Sequence, residues 1–135
     1  MRRNRRGKGF TLIELLIVIV ILGLLLSLVA PTMFSKVGSA QRKTAMAQMQ
    51  MLSTALDTYR LDVGDFPQSL AQLRSDQSPG WDGPYLPREI PMDPWGNPYV
   101  YTNKTTDPGR PYTLLSYGKD GRQGGDGEAE DVVFQ

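Results

Sequence analysis

The sequence predicts an α+β fold, with a long amino-terminal α-helix packed on a small three-stranded antiparallel sheet at the carboxyl end. Three observations predict it. Residues 10–30 form an almost unbroken apolar run, long enough to be one membrane-spanning helix. Ala45, Met49, Leu52, Leu56, Tyr59 and Val63 then recur at helical spacing, with Gln48, Gln50, Ser53, Asp57 and Arg60 between them, which makes an apolar stripe along a helix. Near the carboxyl end, three short segments rich in valine, tyrosine, threonine and leucine read as strands.

Taken in chain order, Arg2, Arg3, Arg5, Arg6 and Lys8 precede Phe10 and supply five of the fifteen basic residues. Without residues 1–9 the chain carries ten basic against fourteen acidic residues, so the basic end reads as a detachable address. Within residues 10–30 only Thr11, Glu14 and Ser27 are polar. At about 1.5 Å per residue such a helix spans roughly 30 Å, the thickness of a bilayer's hydrocarbon core. The positive-inside tendency puts the basic cluster in the cytoplasm and residues 32–135 on the far side. A secretory signal peptide has a shorter apolar core and a small-x-small cleavage site, whereas Val29-Ala30-Pro31 runs on into the helical pattern.

Glu14 is the anomaly in that run. A carboxylate in hydrocarbon costs about 2.5–3.5 kcal/mol at the bilayer centre and less near an end, so it requires a partner. No basic residue lies inside the run. A cut between Gly9 and Phe10 would create an α-amino group four residues before Glu14, and the same group on a neighbouring copy would serve equally.

Residues 31–63 carry the stripe and continue the helix on the far side. Pro31 removes one hydrogen bond, which predicts a kink or local melting between residues 10–30 and 32–62. Gly64 ends the helix, and Ser69-Leu-Ala-Gln-Leu-Arg74 reads as one short capped turn. Residues 64–135 form the globular part. From Ser75 to Pro98 the chain is dense in proline and glycine, which denies helix and central strand, yet Trp81, Tyr85, Leu86, Ile90, Met92 and Trp95 supply apolar surface to pin it to a core. Tyr99–Thr102 and Tyr112–Tyr117 flank a turn at Thr106-Asp-Pro-Gly-Arg110 and read as a hairpin, with Asp131–Phe134 a third strand.

Composition narrows the function. With no histidine and no cysteine, the chain lacks the usual general base, thiol nucleophile and zinc ligands, and no phosphate-binding loop of GxxxxGKS type is present. The acid pairs Asp62/Asp65 and Glu128/Glu130 sit in turns and read as solvated charge. The acidic balance beyond residue 9 argues against a surface that tracks nucleic-acid phosphates. A structural protein is therefore expected, not an enzyme and not a nucleic-acid binder.

A domain this small commonly needs a staple, and with no cysteine it cannot be a disulfide. Ser116–Asp131 is the candidate. Its glycines permit a backbone tight enough to turn carbonyl oxygens inward, and Asp120, Asp126, Glu128, Glu130 and Asp131 supply hard anionic oxygens of the kind calcium takes. Asp120 and Asp131 stand first and last in a twelve-residue span with Gly125 sixth, but Arg122 and Gly124 fall where an EF-hand needs oxygen ligands. From the residues alone, a solvated acidic turn and a cation site are equally supported.

Lys8-Gly9-Phe10-Thr11-Leu12-Ile13-Glu14-Leu15 resembles the class III signal of the type IV pilins and type II secretion pseudopilins. That resemblance implies cleavage between Gly9 and Phe10 by a prepilin peptidase, methylation of the Phe10 amine, and use of Glu14 in filament assembly. Ser116-x-Gly118-x-Asp120-Gly121-x-x-Gly124-Gly125 with Asp131-Val132 is similar to the calcium loop of the major pseudopilins of type II secretion, and Pro91–Tyr99 resembles the central loop of that subfamily. It implies calcium held by the side chains of Asp120 and Asp131, with main-chain oxygens from Ser116 and Tyr117 and from the Arg122–Gly125 turn, Gln123 among them, and with Asp126 or Glu128 as further donors. It also implies a homopolymer in the periplasm, drawn from a pool of single-pass subunits in inner-membrane lipid and assembled with minor pseudopilins and an inner-membrane platform to drive export of folded proteins. A type IV pilin or a minor pseudopilin shares the amino-terminal half and is the alternative.

Overall fold

The computed structural model describes residues 9–135, apart from the side chains of residues 30–32 and 34. The basic residues ahead of Gly9 lie outside the described residues. The order of elements is α1 (Leu12–Val63), a 3-10 turn (Leu70–Leu73), β1 (Val100–Thr102), β2 (Thr113–Ser116), a second 3-10 turn (Gly127–Ala129) and β3 (Val132–Val133). The chain divides into two compact units between Val37 and Gly38.

In the first unit, α1 begins after Thr11, whose Oγ1 accepts the Glu14 N–H at 3.3 Å. This satisfies one of the backbone donors that a helix leaves free at its start. The apolar side chains from Leu12 to Val29 stand at 50% exposure or more on every face, and the window Leu12–Val29 is long and apolar enough to cross a membrane. The helix is assigned without a break through Pro31, so the local melting anticipated there is absent. A proline withdraws a single donor, and the remaining intrahelical bonds suffice to carry the helix past it.

In the second unit, the stripe inferred from spacing is the core. Ala45, Met49, Leu52 and Leu56 are fully buried and Tyr59 is 2% exposed, packed with Phe66, Leu70, Leu73, Leu86, Tyr99, Leu114 and Val132. Gly64, at φ +98°, takes the left-handed conformation that stops a helix, and its N–H closes on Arg60 O at 2.8 Å. The following turn is capped by Gln72, whose Oε1 accepts the N–H groups of Gln68 at 2.6 Å and Ser69 at 3.4 Å.

The sheet is antiparallel in the order β1-β2-β3. Val100 pairs with Leu115 and Thr102 with Thr113, while Leu115 pairs with Val133 and Ser116 with Val132. Each strand is shorter than the run that predicts it, with Tyr99, Tyr112, Tyr117, Asp131 and Phe134 lying beyond the strand ends. The proline-rich segment is pinned by Trp81, Tyr85, Leu86, Ile90 and Trp95 as anticipated, whereas Met92 is 57% exposed and takes no part. Trp81 Nε1 donates to Gln72 O at 2.9 Å, Tyr85 Oη to Asp62 Oδ2 at 2.8 Å, and Arg74 to Leu86 O at 2.5 Å.

Candidate functional site

Two places carry the chemistry that the sequence singles out, one in each unit. In the first, Glu14 lies in the opening turn of α1, where the partial positive charge of the helix amino terminus favours a carboxylate. It lines a shallow apolar recess with Phe10, Leu15, Ile17 and Val18. Phe10 is 84% exposed. The negative charge thus sits on an open apolar surface, a geometry suited to docking another chain.

In the second unit, the pairing of Ser116 with Val132 closes the base of a loop running from Tyr117 to Asp131. The loop turns through five glycines at positive φ, at positions 118, 121, 124, 125 and 127. Two of these are fixed by close approach as well. A Cβ on Gly118 would fall 2.8 Å from Glu130 O and 2.9 Å from Glu128 O, and one on Gly125 would meet Ala129 O at 2.6 Å. Carbonyl oxygens therefore crowd the glycine positions, which a side chain would displace.

Asp131 is brought onto the middle of the loop. Its Oδ1 and Oδ2 accept the Gly124 N–H at 3.1 and 3.0 Å. Asp120 makes a local turn, with its Oδ1 accepting the Arg122 N–H at 3.1 Å. Asp126 heads the second 3-10 turn with an exposed side chain, and Gln123 is also exposed while Tyr117 is half-buried. Among the described residues no three acidic side chains converge as a metal cluster. The loop's donors are carboxylates, carbonyls, hydroxyls and an amide, all hard oxygens in a glycine-rich frame, and this chemistry fits calcium and suits no softer metal.

The acid pairs find ordinary partners. Asp62 accepts from Tyr85, Asp65 Oδ1 accepts the Phe66 N–H at 2.8 Å, and Glu128 pairs with Lys119 Nζ at 3.0 Å. Glu130 lies 3.8 Å from Arg42.

The structure also reveals a lock that the sequence reading missed. Ser116, expected at the edge of the cation site, is fully buried, and its hydroxyl donates to Asp93 Oδ2 at 2.6 Å while accepting the Gly118 N–H at 3.1 Å. Asp93 is itself 4% exposed, and its Oδ1 accepts the N–H groups of Trp95 at 3.1 Å and Asn97 at 2.7 Å. Asn97 Nδ2 in turn donates to Gly118 O at 3.1 Å. The Pro91–Pro98 segment is thereby fastened to the first turn of the glycine-rich loop. Only the density of turn formers around Asp93 hinted at a special carboxylate.

Comparison with known proteins places this arrangement. The family model for type II secretion system protein G matches residues 32–135, and that for the prokaryotic N-terminal methylation motif matches residues 4–30. The chain belongs to the type II secretion system protein G family. This pseudopilin is 35% identical over 138 residues to type II secretion system core protein G of Pseudomonas aeruginosa, covering 96% of each chain. It is 37% identical to the core protein G of Escherichia coli K12, over 92% of this chain and 90% of that one. The fold matches the crystal structure of the major pseudopilin of enterohaemorrhagic Escherichia coli, with a TM-score of 0.59, 28% identity, and coverage of 73% of this chain and 85% of that chain. The family is one of structural subunits, and the pseudopilin's long apolar helix and three-stranded antiparallel sheet agree with the fold expected of it.

Proposed function

We propose that this chain is the major structural subunit of a type II secretion pseudopilus, a periplasmic filament whose growth pushes folded proteins through an outer-membrane channel. One observation carries the reading beyond family membership. The apolar side chains of Leu12–Val29 are all exposed and interrupted by a single acid, Glu14. Such a surface requires lipid in the stored subunit and other copies of itself in the filament. Cleavage between Gly9 and Phe10 by a prepilin peptidase, with methylation of the new amine, gives Glu14 a positive partner on a neighbouring subunit. The stored form spans the inner membrane once, with residues beyond 31 in the periplasm, and assembly uses minor pseudopilins and an inner-membrane platform.

The glycine-rich loop is proposed to hold calcium, with Asp120 and Asp131 as side-chain ligands. Ser116, Tyr117 and Gln123 would contribute main-chain oxygens, and Asp126 is a further donor. The cation would supply positive charge to Asp120 and Asp131, which accept backbone N–H groups in the loop. The glycines, the Asp93–Ser116 lock and the hard donor set support this reading.

The test is the intact mass and amino-terminal sequence of protein recovered from membranes, with and without a co-expressed prepilin peptidase. A chain starting at Phe10 with one added methyl is expected only with the peptidase. A chain still starting at Met1 in both cases, or cut near Ala30, would overturn the assignment.

A further inference from the structure

Arg42 lies on α1, one turn beyond Gly38, and reaches the far end of the glycine-rich loop. Its Nη1 donates to Gly127 O and to Glu130 O, both at 3.3 Å, and its Nη2 lies 3.8 Å from Glu130 Oε2. One guanidinium therefore spans the whole second 3-10 turn, from its first residue to the residue that caps it. Gly38 is buried directly beneath, and a Cβ there would stand 3.1 Å from Glu128 Oε1 and 3.3 Å from its Cγ. Glu128 is held from the other side by Lys119, whose Nζ and backbone N–H reach its Oε2 and its carbonyl, each at 3.0 Å.

These contacts sort the acidic residues of the loop. Among the described residues, Glu128 and Glu130 already have internal cations, Lys119 and Arg42, whereas Asp120 and Asp131 accept only neutral backbone N–H groups. The Glu130 carbonyl held by Arg42 belongs to the peptide unit that leads into Asp131. Fixing that plane fixes the direction from which the Asp131 carboxylate approaches Gly124. Both carbonyls are held by the one Nη1 amino group, whose two N–H bonds are fixed in the guanidinium plane, whereas a lysine ammonium on a flexible stem has no such fixed directions.

We infer that Arg42 is a positioning residue for the loop: it presets Asp131 and thereby governs the loop's affinity for calcium, while Glu128 and Glu130 are withheld from the ion. The affinity part rests on the calcium reading above; the presetting of Asp131 does not. Two readouts on the full chain in detergent micelles separate them. Calcium affinity is measured by titration calorimetry, and exchange of the Gly124 amide is followed by NMR in chelator.

Arg42→Gln is expected to weaken calcium binding by about tenfold, the usual lower bound for loss of an outer support, and to speed Gly124 exchange in chelator several-fold. Arg42→Lys, which keeps the charge and the fold, should give intermediate values, and Lys119→Gln should alter calcium affinity less than Arg42→Gln. Unchanged Gly124 exchange in both Arg42 variants overturns the inference. So does a lowered melting temperature with calcium affinity intact, which is what a merely structural contact would give. A wild-type chain that takes up no calcium at millimolar concentration removes the calcium reading alone, because the exchange readout is made without the ion.

Discussion

Removing the Asp93 carboxylate should unfasten the glycine-rich loop and destabilise the whole second unit. The side chain is 4% exposed and accepts three hydrogen bonds, from Trp95 N, Asn97 N and Ser116 Oγ. Hydrogen bonds to a charged acceptor contribute about 1.5–3 kcal/mol each, and a buried donor left without a partner costs about 1–3 kcal/mol. The three share one carboxylate and are not additive, so Asp93→Ala is expected to cost about 3–5 kcal/mol. For a folded unit of about 100 residues, each kcal/mol moves the midpoint by about 4–8 °C, which predicts a fall of at least about 12 °C. Asp93→Asn keeps one oxygen for the two backbone N–H groups and loses the charge toward Ser116, so it should cost about 1–2 kcal/mol. The assay is thermal unfolding of the full chain in micelles, followed by near-ultraviolet circular dichroism of Trp81 and Trp95. A midpoint for Asp93→Ala within about 3 °C of wild type would refute the reasoning, since it would mean that the three donors find acceptors elsewhere at little cost.

The remaining predictions concern the core, pH, calcium and assembly. Met49 is fully buried, and Met49→Ala should lower stability by about 2–5 kcal/mol in the same unfolding assay. Tyr59 donates to Asp76 Oδ2 at 2.5 Å, and this bond holds the Asp76 carboxyl below its usual range, while burial pushes the Tyr59 hydroxyl up. Because the folded carboxyl titrates lower than the unfolded one, its contribution is complete above about pH 4 and is lost as pH falls through the lowered value. Melting curves of wild type and Asp76→Asn should therefore differ at pH 7 and converge in acid, and a constant gap down to pH 2 would contradict this. Chelator should lower the wild-type midpoint by several degrees, through the linkage of folding to calcium binding, and Asp120→Ala and Asp131→Ala should remove that response. Glu14→Ala should leave monomer abundant in membranes while abolishing filaments seen by electron microscopy, and a normal filament yield would contradict the role given to Glu14.

Most of the architecture could be read before folding because it rests on periodicity. The spacing of Ala45, Met49, Leu52, Leu56 and Tyr59 identifies the buried face of α1 without any knowledge of what covers it. Gly64 marks the helix end because only a left-handed residue fits there. The glycine-rich loop was recognisable, but its wiring was not. Ser116 and Asp93 are 23 residues apart, and Arg42 and Gly127 are 85 apart, so no local pattern links them. Arg42 looks like any exposed helix cation until the chain has closed. At Pro31 the local melting does not occur, since the helical tendency of the long sequence around it outweighs one lost donor.

The brevity of the sheet has a consequence for a chain whose proposed role is to gather in many copies. β1 has three residues and β3, at the other margin, has two. A longer bare margin would offer a row of unpaired peptide groups onto which a neighbour could add its own strand, and crowded copies would drift toward fibrils held by the wrong surface. Margins this short offer almost no template. In the proposed filament, association then falls to the apolar helix, and the sheet stays a bystander however many copies gather.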